Sequence, residues 1–145
     1  LAALTAFIPV IMGMGGNIGT QSSTIVVRGL ATGEVDLQEG WKVIRRELAT
    51  GLALGTLYGV LLGVFAKIQH WTTDPTSLYF VRFPFVVAIA IAANMVLAAS
   101  LGTLIPIALK RMRVDPAIAT GPFVTTAIDV LGILFYFMLA RVILF

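Results

Sequence analysis

The distribution of charge along the chain limits its possible folds more than any other sequence feature. Three apolar runs contain no charged side chain and a fourth contains two; the runs cover Leu1–Val27, Leu48–Ala66, Phe83–Leu109 and Pro116–Phe145. Each run is close to, or longer than, the roughly 20 residues that a helix needs to cross about 30 Å of hydrocarbon. Membrane β-strands would instead alternate apolar and polar residues. We therefore predict an all-α membrane helix bundle, a single domain over residues 1–145 with about four transmembrane helices.

The amino-acid composition excludes several classes of protein. Hydrophobic residues make up 59% of the chain and charged residues 12%, whereas soluble domains contain about 45–50% and about 25%. The lack of cysteine excludes thiol catalysis, iron–sulfur clusters and cysteine zinc sites, and His70 alone cannot build a multi-histidine metal site. The ten basic residues are spread among apolar ones, so we expect no nucleic-acid partner. Because no nucleophile–base pair is recognisable, we also expect no enzymatic activity.

The lysine and arginine residues predict how the chain lies in the cell (inner) membrane, because cytoplasmic connections carry an excess of them. The connection after the second run carries Lys67 and Arg82. The connections after the first and third runs carry more: Arg28, Lys42, Arg45, Arg46, Lys110, Arg111 and Arg113. We predict a multi-pass protein with the first and third connections in the cytoplasm. A solvated face is expected for four acidic residues: Glu34, Asp36, Glu39 and Glu47.

Asp129 is the most informative single residue, because it lies close to the middle of the fourth apolar run. A carboxylate at the centre of a transmembrane helix costs about 2.5–3.5 kcal/mol on insertion scales, so a cation, water or protonation must offset the cost. Helical spacing places Asp129 on one strip with three small or polar residues: Gly121, Thr125 and Gly132. Ionisable residues inside membranes usually mark ion pathways. The alternative is a structural aspartate that is hydrogen-bonded to a neighbouring helix.

A second group of polar residues occupies the first run, between Gly13 and Thr24. Exposed backbone and polar side chains at membrane depth are tolerated where they are buried in protein or line water. Helical geometry places one set on a shared face: Gly13, Gly16, Asn17, Thr20 and Ser23 or Thr24. Glycine carbonyls, amides and hydroxyls on that face would be neutral oxygen ligands for a cation. The alternative is small-residue helix packing, which explains the glycines but not Asn17 and Gln21.

Two further features predict packing rather than chemistry. Glycine recurs every four residues along the second run, as a small-residue ridge for close helix contact: Gly51, Gly55, Gly59 and Gly63. Asn94 lies in the third run, and we predict that its amide hydrogen-bonds between helices.

The intramembrane polar groups form an all-oxygen set of a carboxylate, hydroxyls, an amide and backbone carbonyls. Hard cations such as Mg²⁺ and Ca²⁺ prefer oxygen ligands, and Mg²⁺ is often held through its own waters by one or two carboxylates. Because each chain supplies one such aspartate, we hypothesise a dimer in which two Asp129 carboxylates face one hydrated ion. Two alternatives remain: an ion-coupled secondary transporter with Asp129 as proton or cation carrier, and a membrane anchor without transport activity.

Two segments resemble one known family. Phe7–Pro9 followed by Gly13–Thr24 resembles the second membrane helix of MgtE-type magnesium channels, and Asp115–Ala117 followed by Gly121–Gly132 is similar to the fifth. The resemblance implies that the four runs are membrane helices two to five. Since the chain begins with Leu1, we expect it to be a fragment of a longer protein. The resemblance implies that the family's first membrane helix is absent from this chain, as are the N domain and CBS pair that sense magnesium in bacterial members.

The same resemblance implies a homodimer in the lipid bilayer with a pore for hydrated Mg²⁺, lined by the first and last helices of this chain. Other divalent cations are possible. It implies metal-binding roles for Asp129, Thr125, Gly13, Gly16 and Asn17. It implies pore-lining roles for Thr20, Gln21, Ser23, Thr24, Gly121 and Gly132. The sequence departs from the pattern at Thr20 and Gly121, where some members carry asparagine.

Overall fold

The computed structural model describes residues 2–36, 40–70, 78–119 and 121–144. These residues form five helices and no β-strand: α1 (Ala2–Thr32), α2 (Gly40–His70), α3 (Leu78–Arg111), α4 (Pro116–Ala119) and α5 (Pro122–Leu144). Four stretches are long and apolar enough to cross a membrane: Ala3–Thr32, Gly40–Gln69, Val81–Arg111 and Pro122–Leu144. The prediction of an all-α bundle with four transmembrane helices is therefore confirmed.

The second helix begins earlier than its apolar run. α2 starts at Gly40 rather than at Leu48, so residues 42–47 are helical instead of belonging to an open connection. Lysine, arginine and glutamate are good helix formers, and a helix can therefore continue past its apolar part. The long basic side chains of this turn are exposed, as their charges require.

The fourth run is divided at Gly121, which has a φ of 100° and separates α4 from α5. Glycine adopts this left-handed conformation without steric cost, and Pro122 then supplies the φ that suits the first position of a helix. The Thr125 N–H donates to the Gly121 carbonyl oxygen (2.9 Å). This turn fixes the start of the helix that carries Asp129.

Helix α3 lies at the centre of the bundle and contacts α1, α2 and α5. The ring of Phe7 in α1 packs edge-on against Phe83 in α3, with centroids 5.6 Å apart. The Tyr136 hydroxyl of α5 donates a hydrogen bond to the Leu4 carbonyl oxygen of α1 (2.9 Å). Ile128 of α5 is fully buried in a separate cluster with residues of α1 and α3. These contacts hold α1 and α5 beside each other against α3.

The contact between α2 and α3 uses the predicted glycine ridge. Four glycines of α2 are buried there: Gly51, Gly55, Gly59 and Gly63. A Cβ on Gly55 would lie 2.8 Å from the Ala92 carbonyl oxygen, and a Cβ on Gly59 would lie 2.6 Å from that of Ala88. The two backbones therefore touch, and the prediction of a packing ridge is confirmed.

One acidic residue lies inside the bundle. Glu47 is 6% exposed, and the Ser22 hydroxyl of α1 donates a hydrogen bond to its Oε2 (2.6 Å). The expectation of a solvated face is therefore wrong for Glu47, because its carboxylate bonds to a neighbouring helix. Glu34 and Asp36 are exposed, as expected, and Glu39 lies outside the described residues.

Candidate ion-binding groove

Helix α5 places two oxygen-bearing side chains on one strip. Asp129 lies about two turns after the start of α5 and is half-buried, and Thr125 lies one turn before it. The Thr125 hydroxyl donates a hydrogen bond to the Gly121 carbonyl oxygen (2.8 Å). Residues four apart share a helix face, so Thr125 and Asp129 present their oxygens on the same side of α5.

Helix α1 presents a polar stripe of its own. Its exposed members recur with helical spacing: Gly13, Asn17, Thr20, Gln21 and Thr24. The Thr20 hydroxyl donates to the Gly16 carbonyl oxygen and the Thr24 hydroxyl to that of Thr20, both at 2.8 Å. These bonds direct the hydroxyl hydrogens to the backbone of α1 itself.

The two strips meet in a groove of about 340 Å³ between α1 and α5. We call it the α1–α5 groove, and its lining residues are Met12, Gly13, Gly16, Asn17, Thr20, Thr125 and Asp129. The structure thus brings together all five residues predicted to bind metal, together with Thr20 from the predicted pore lining. Met12 was not predicted. It lies one turn before Gly16, and this spacing is the signal that would have included it.

Two glycines keep the α1 wall of the groove open. Within the described part of the chain, a Cβ on Gly13 or Gly16 would meet no atom within 4 Å. A Cβ on Gly15 or Gly19 would instead run into side chains of α3 and α5. Helix α1 therefore uses one pair of glycines to leave space and another pair to pack.

The groove mainly offers hydrogen-bond acceptors. A hydroxyl has one hydrogen and two lone pairs, so Thr20 and Thr125 keep their lone pairs for a ligand once their hydrogens are given to carbonyls. None of the described residues donates a hydrogen bond to the Asp129 carboxylate or pairs with it as a cation. Asn17 adds an amide, which can both donate and accept. This set suits a cation or the outward-pointing hydrogens of its bound waters.

The donor set fits a hydrated ion better than a bare one. Across residues 2–36, 40–70, 78–119 and 121–144, no three histidine, cysteine, aspartate or glutamate side chains converge on one point. Ca²⁺ takes about 6–8 oxygen ligands, whereas Mg²⁺ keeps several of its waters and is held by one or two carboxylates. Asp129 with its neutral oxygen neighbours matches the second pattern.

Three residues of the predicted pore lining on α1 lie outside the groove. Gln21 and Thr24 are exposed beyond Thr20. Ser23 is fully buried, and its Oγ has no hydrogen-bond partner among the described residues. The sequence left Ser23 and Thr24 as alternatives for the polar face of α1. The structure places Thr24 on the exposed side of α1 and Ser23 in the interior of the bundle.

Two predicted pore-lining glycines of the fourth run also lie outside the groove. The Gly121 carbonyl oxygen accepts the Thr125 hydrogen bonds at the start of α5. Gly132 is buried and faces the amide of Asn94 in α3. That amide donates a hydrogen bond from Nδ2 to the Ile11 carbonyl oxygen of α1 (2.7 Å), which confirms the predicted bond between helices.

The fold and the groove define a multi-pass α-helical membrane protein with an oxygen-lined groove, containing one carboxylate, between two of its membrane helices. A family model described as "MgtE: Divalent cation transporter" matches residues 8–139. The chain belongs to the MgtE family, a family of membrane transporters rather than enzymes.

Three curated relatives, each named "Magnesium transporter MgtE", align with nearly the whole chain. The Thermus thermophilus protein is 39% identical over 145 residues, which cover 99% of this chain and 30% of the relative. The Bacillus subtilis protein is 37% identical over 140 residues, covering 97% and 29%. The Enterococcus faecalis protein is 33% identical over 137 residues, covering 94% and 28%. The chain therefore spans less than a third of the length of these relatives.

Proposed function

We propose that the chain forms the pore of a passive pathway for hydrated Mg²⁺ across the cell membrane, with Asp129 as the central ligand. The α1–α5 groove carries this proposal, because it gathers the intramembrane carboxylate with Thr125, Asn17 and two open glycines. Relatives named magnesium transporter support the choice of ion. Conduction requires binding that attracts the ion yet releases it, and contact through water meets both requirements.

Each lining group would act on a different part of the hydrated ion. The Asp129 carboxylate supplies negative charge that lowers the cost of a divalent cation inside the membrane. The oxygens of Thr20 and Thr125 would accept hydrogen bonds from the ion's waters. Gly13 and Gly16 would provide the width that a hydrated ion needs, because a methyl group there would project into the groove.

A second copy of the chain would complete the pathway. The groove would form one side of the pathway. Its Asp129 carboxylate has no cationic or hydrogen-bonding partner among the described residues of its own chain. Twofold symmetry places the same surface of each copy at the interface, so two Asp129 carboxylates could face one ion. Two negative charges would then balance one divalent cation.

Removal of the Asp129 carboxylate tests the proposed function. The purified protein is reconstituted in liposomes that contain a Mg²⁺-sensitive dye, and influx is compared for wild type, Asp129→Ala and Val130→Ala. Val130 is 52% exposed and lies outside the groove lining, so its variant is a matched control on α5. We expect Asp129→Ala to abolish influx and Val130→Ala to retain it, both eluting like wild type on size exclusion. Normal influx in Asp129→Ala would overturn the proposal.

An ion-coupled secondary transporter is the second candidate, because a half-buried intramembrane carboxylate can also carry a proton or a cation. Currents across a planar bilayer at several proton and sodium gradients distinguish the two. A Mg²⁺ conductance that is independent of those gradients supports a channel. Flux with a fixed coupling ratio supports the transporter.

Crystals soaked in Mn²⁺ test the dimeric arrangement. An anomalous peak between two Asp129 carboxylates would support one ion shared by two copies. A peak that contacts a single chain, with the second copy elsewhere, would contradict the shared site while leaving the role of Asp129 intact.

A further inference from the structure

Asn94 connects the two helices that form the groove. It lies in the middle of α3, is 2% exposed, and donates from Nδ2 to the Ile11 carbonyl oxygen of α1 (2.7 Å). The other side of its amide faces Gly132 of α5. One side chain of α3 therefore contacts α1 and α5 together, although it lines no part of the groove.

Both contacts depend on glycine. A Cβ on Gly15 would run into Asn94 Nδ2, and a Cβ on Gly132 would run into Asn94 Oδ1. Gly15 directly precedes Gly16, which lines the groove, and Gly132 lies one turn after Asp129. The amide thus fills the space between the groove-lining stretches of the two helices.

Packing alone does not explain the amide. Its Nδ2 is hydrogen-bonded, but its Oδ1 is buried without a hydrogen-bond partner among the residues that the structure describes. A buried acceptor without a donor costs free energy that an aliphatic side chain would avoid. What the amide adds is a directional bond to a main-chain carbonyl, which fixes the distance between α3 and α1.

We propose that Asn94 is a positioning residue that sets the spacing of α1 and α5, and with it the size of the hydrated cation that the groove admits. The inference rests on the proposed function of the α1–α5 groove. Protein interiors are close-packed and respond to the loss of a few atoms. A change at Asn94 therefore shifts the two walls relative to each other, which alters the fit of an ion that Asn94 itself never touches.

The ratio of Mg²⁺ influx to Ca²⁺ influx into liposomes tests whether Asn94 positions the two groove walls or only stabilises the fold. Wild type, Asn94→Ala and Thr103→Val are compared at equal amounts of folded protein. Thr103 is a control on the same helix, since it is fully buried, bonds to the Ala99 carbonyl oxygen within α3 (2.8 Å) and lies outside the groove. We expect Asn94→Ala to lower the Mg²⁺-to-Ca²⁺ influx ratio about tenfold, which corresponds to about 1.4 kcal/mol of lost discrimination between the two ions. Thr103→Val should keep the wild-type ratio.

An unchanged ratio in Asn94→Ala overturns the inference, even where both fluxes fall together. If Asn94→Ala does not fold, Gly132→Ala tests the same inference, because it changes the spacing of the helices from the α5 side. Its methyl group would displace the Asn94 amide, so we expect a lowered ratio. The double variant Asn94→Ala/Gly132→Ala lacks the amide that the methyl group at position 132 would meet. Its thermal unfolding temperature should therefore exceed that of Gly132→Ala.

A wild-type ratio in folded Gly132→Ala likewise overturns the inference. Failure of the proposed function looks different, because either wild-type protein would pass neither ion or Asp129→Ala would conduct like wild type. A conducting wild type with unchanged ratios in folded variants removes the role of Asn94 and leaves the pore in place.

Discussion

Two helices of this bundle carry glycine at close helical spacing, and the structure uses the two sets in opposite ways. The row of α2, which includes Gly55 and Gly59, is pressed against the backbone of α3. Gly13 and Gly16 of α1 have free space where a side chain would be, within the described part of the chain. The first set brings backbones together, and the second keeps a groove open.

The difference lies in the residues that accompany each set. The row of α2 is surrounded by exposed apolar side chains such as Leu57 and Val60, which are typical of a lipid-facing helix. Gly13 and Gly16 share their face with Asn17 and Thr20. Glycine spacing alone therefore does not distinguish packing from an open groove. The polarity of the residues on the same helix face does, since Gly15 and Gly19 of α1 pack on another face of the same polar stretch.

The largest expected effect is on the packed row. Gly55→Ala would place a methyl group 2.8 Å from the Ala92 carbonyl oxygen and 3.1 Å from its Cα, where backbone cannot move aside. We expect a loss of about 1–3 kcal/mol in the free energy of unfolding, as for other overpacked sites. Thermal unfolding in detergent measures it. An unchanged unfolding temperature would show that α2 is not held as closely as the structure indicates.

The open glycines should respond in the opposite sense. Gly16→Ala adds a methyl group that meets no described atom within 4 Å, so stability should stay the same or rise by up to about 1 kcal/mol from helix propensity. If the groove conducts, Mg²⁺ influx should fall about tenfold, because mutations of groups just outside a metal's ligands typically lower activity by at least that factor. Stable protein with full influx would contradict a pore at this face.

The smallest expected effect comes from neighbouring threonines of α5. Thr125 lines the groove, whereas Thr126 is exposed among apolar residues on another face. Thr125→Val removes one acceptor worth about 1 kcal/mol, so influx should fall about fivefold. Thr126→Val should leave influx unchanged. Equal effects of the two variants in the liposome assay would indicate that the hydroxyl of Thr125 does not face the ion.

Most of the fold could be predicted from the sequence, because an apolar run that crosses the bilayer must satisfy its own backbone hydrogen bonds, which a helix does. Proline marks kinks or helix ends, and Pro122 does begin α5. The same reasoning does not locate an end at Pro84, which lies inside α3. The left-handed conformation of Gly121 was not predicted, since the fourth run is apolar on both sides of it. Glu47 was misplaced because its burial depends on Ser22 of another helix, which charge patterning cannot reveal.

The polar strip of each helix was predictable, because helical spacing alone places Thr125 four residues before Asp129. That the strips of α1 and α5 adjoin was implied only by the resemblance to MgtE-type channels. Spacings of three residues were less reliable. A residue at i+3 is rotated by about 60° relative to i, and this turns Gly132 toward α3 instead of the groove. The choice between Ser23 and Thr24 likewise depended on how α1 packs, which its own sequence does not determine.

The threonine hydroxyls of the groove have a further consequence. Their hydrogens are already given to the main chain at Gly16 and Gly121. Chloride or phosphate entering here would face lone pairs and a carboxylate, and among the described lining residues the amide of Asn17 is the one side chain with hydrogens left to donate. Like charge would repel it. On the proposed function, the groove would therefore disfavour anions, although no basic residue is among its described lining residues.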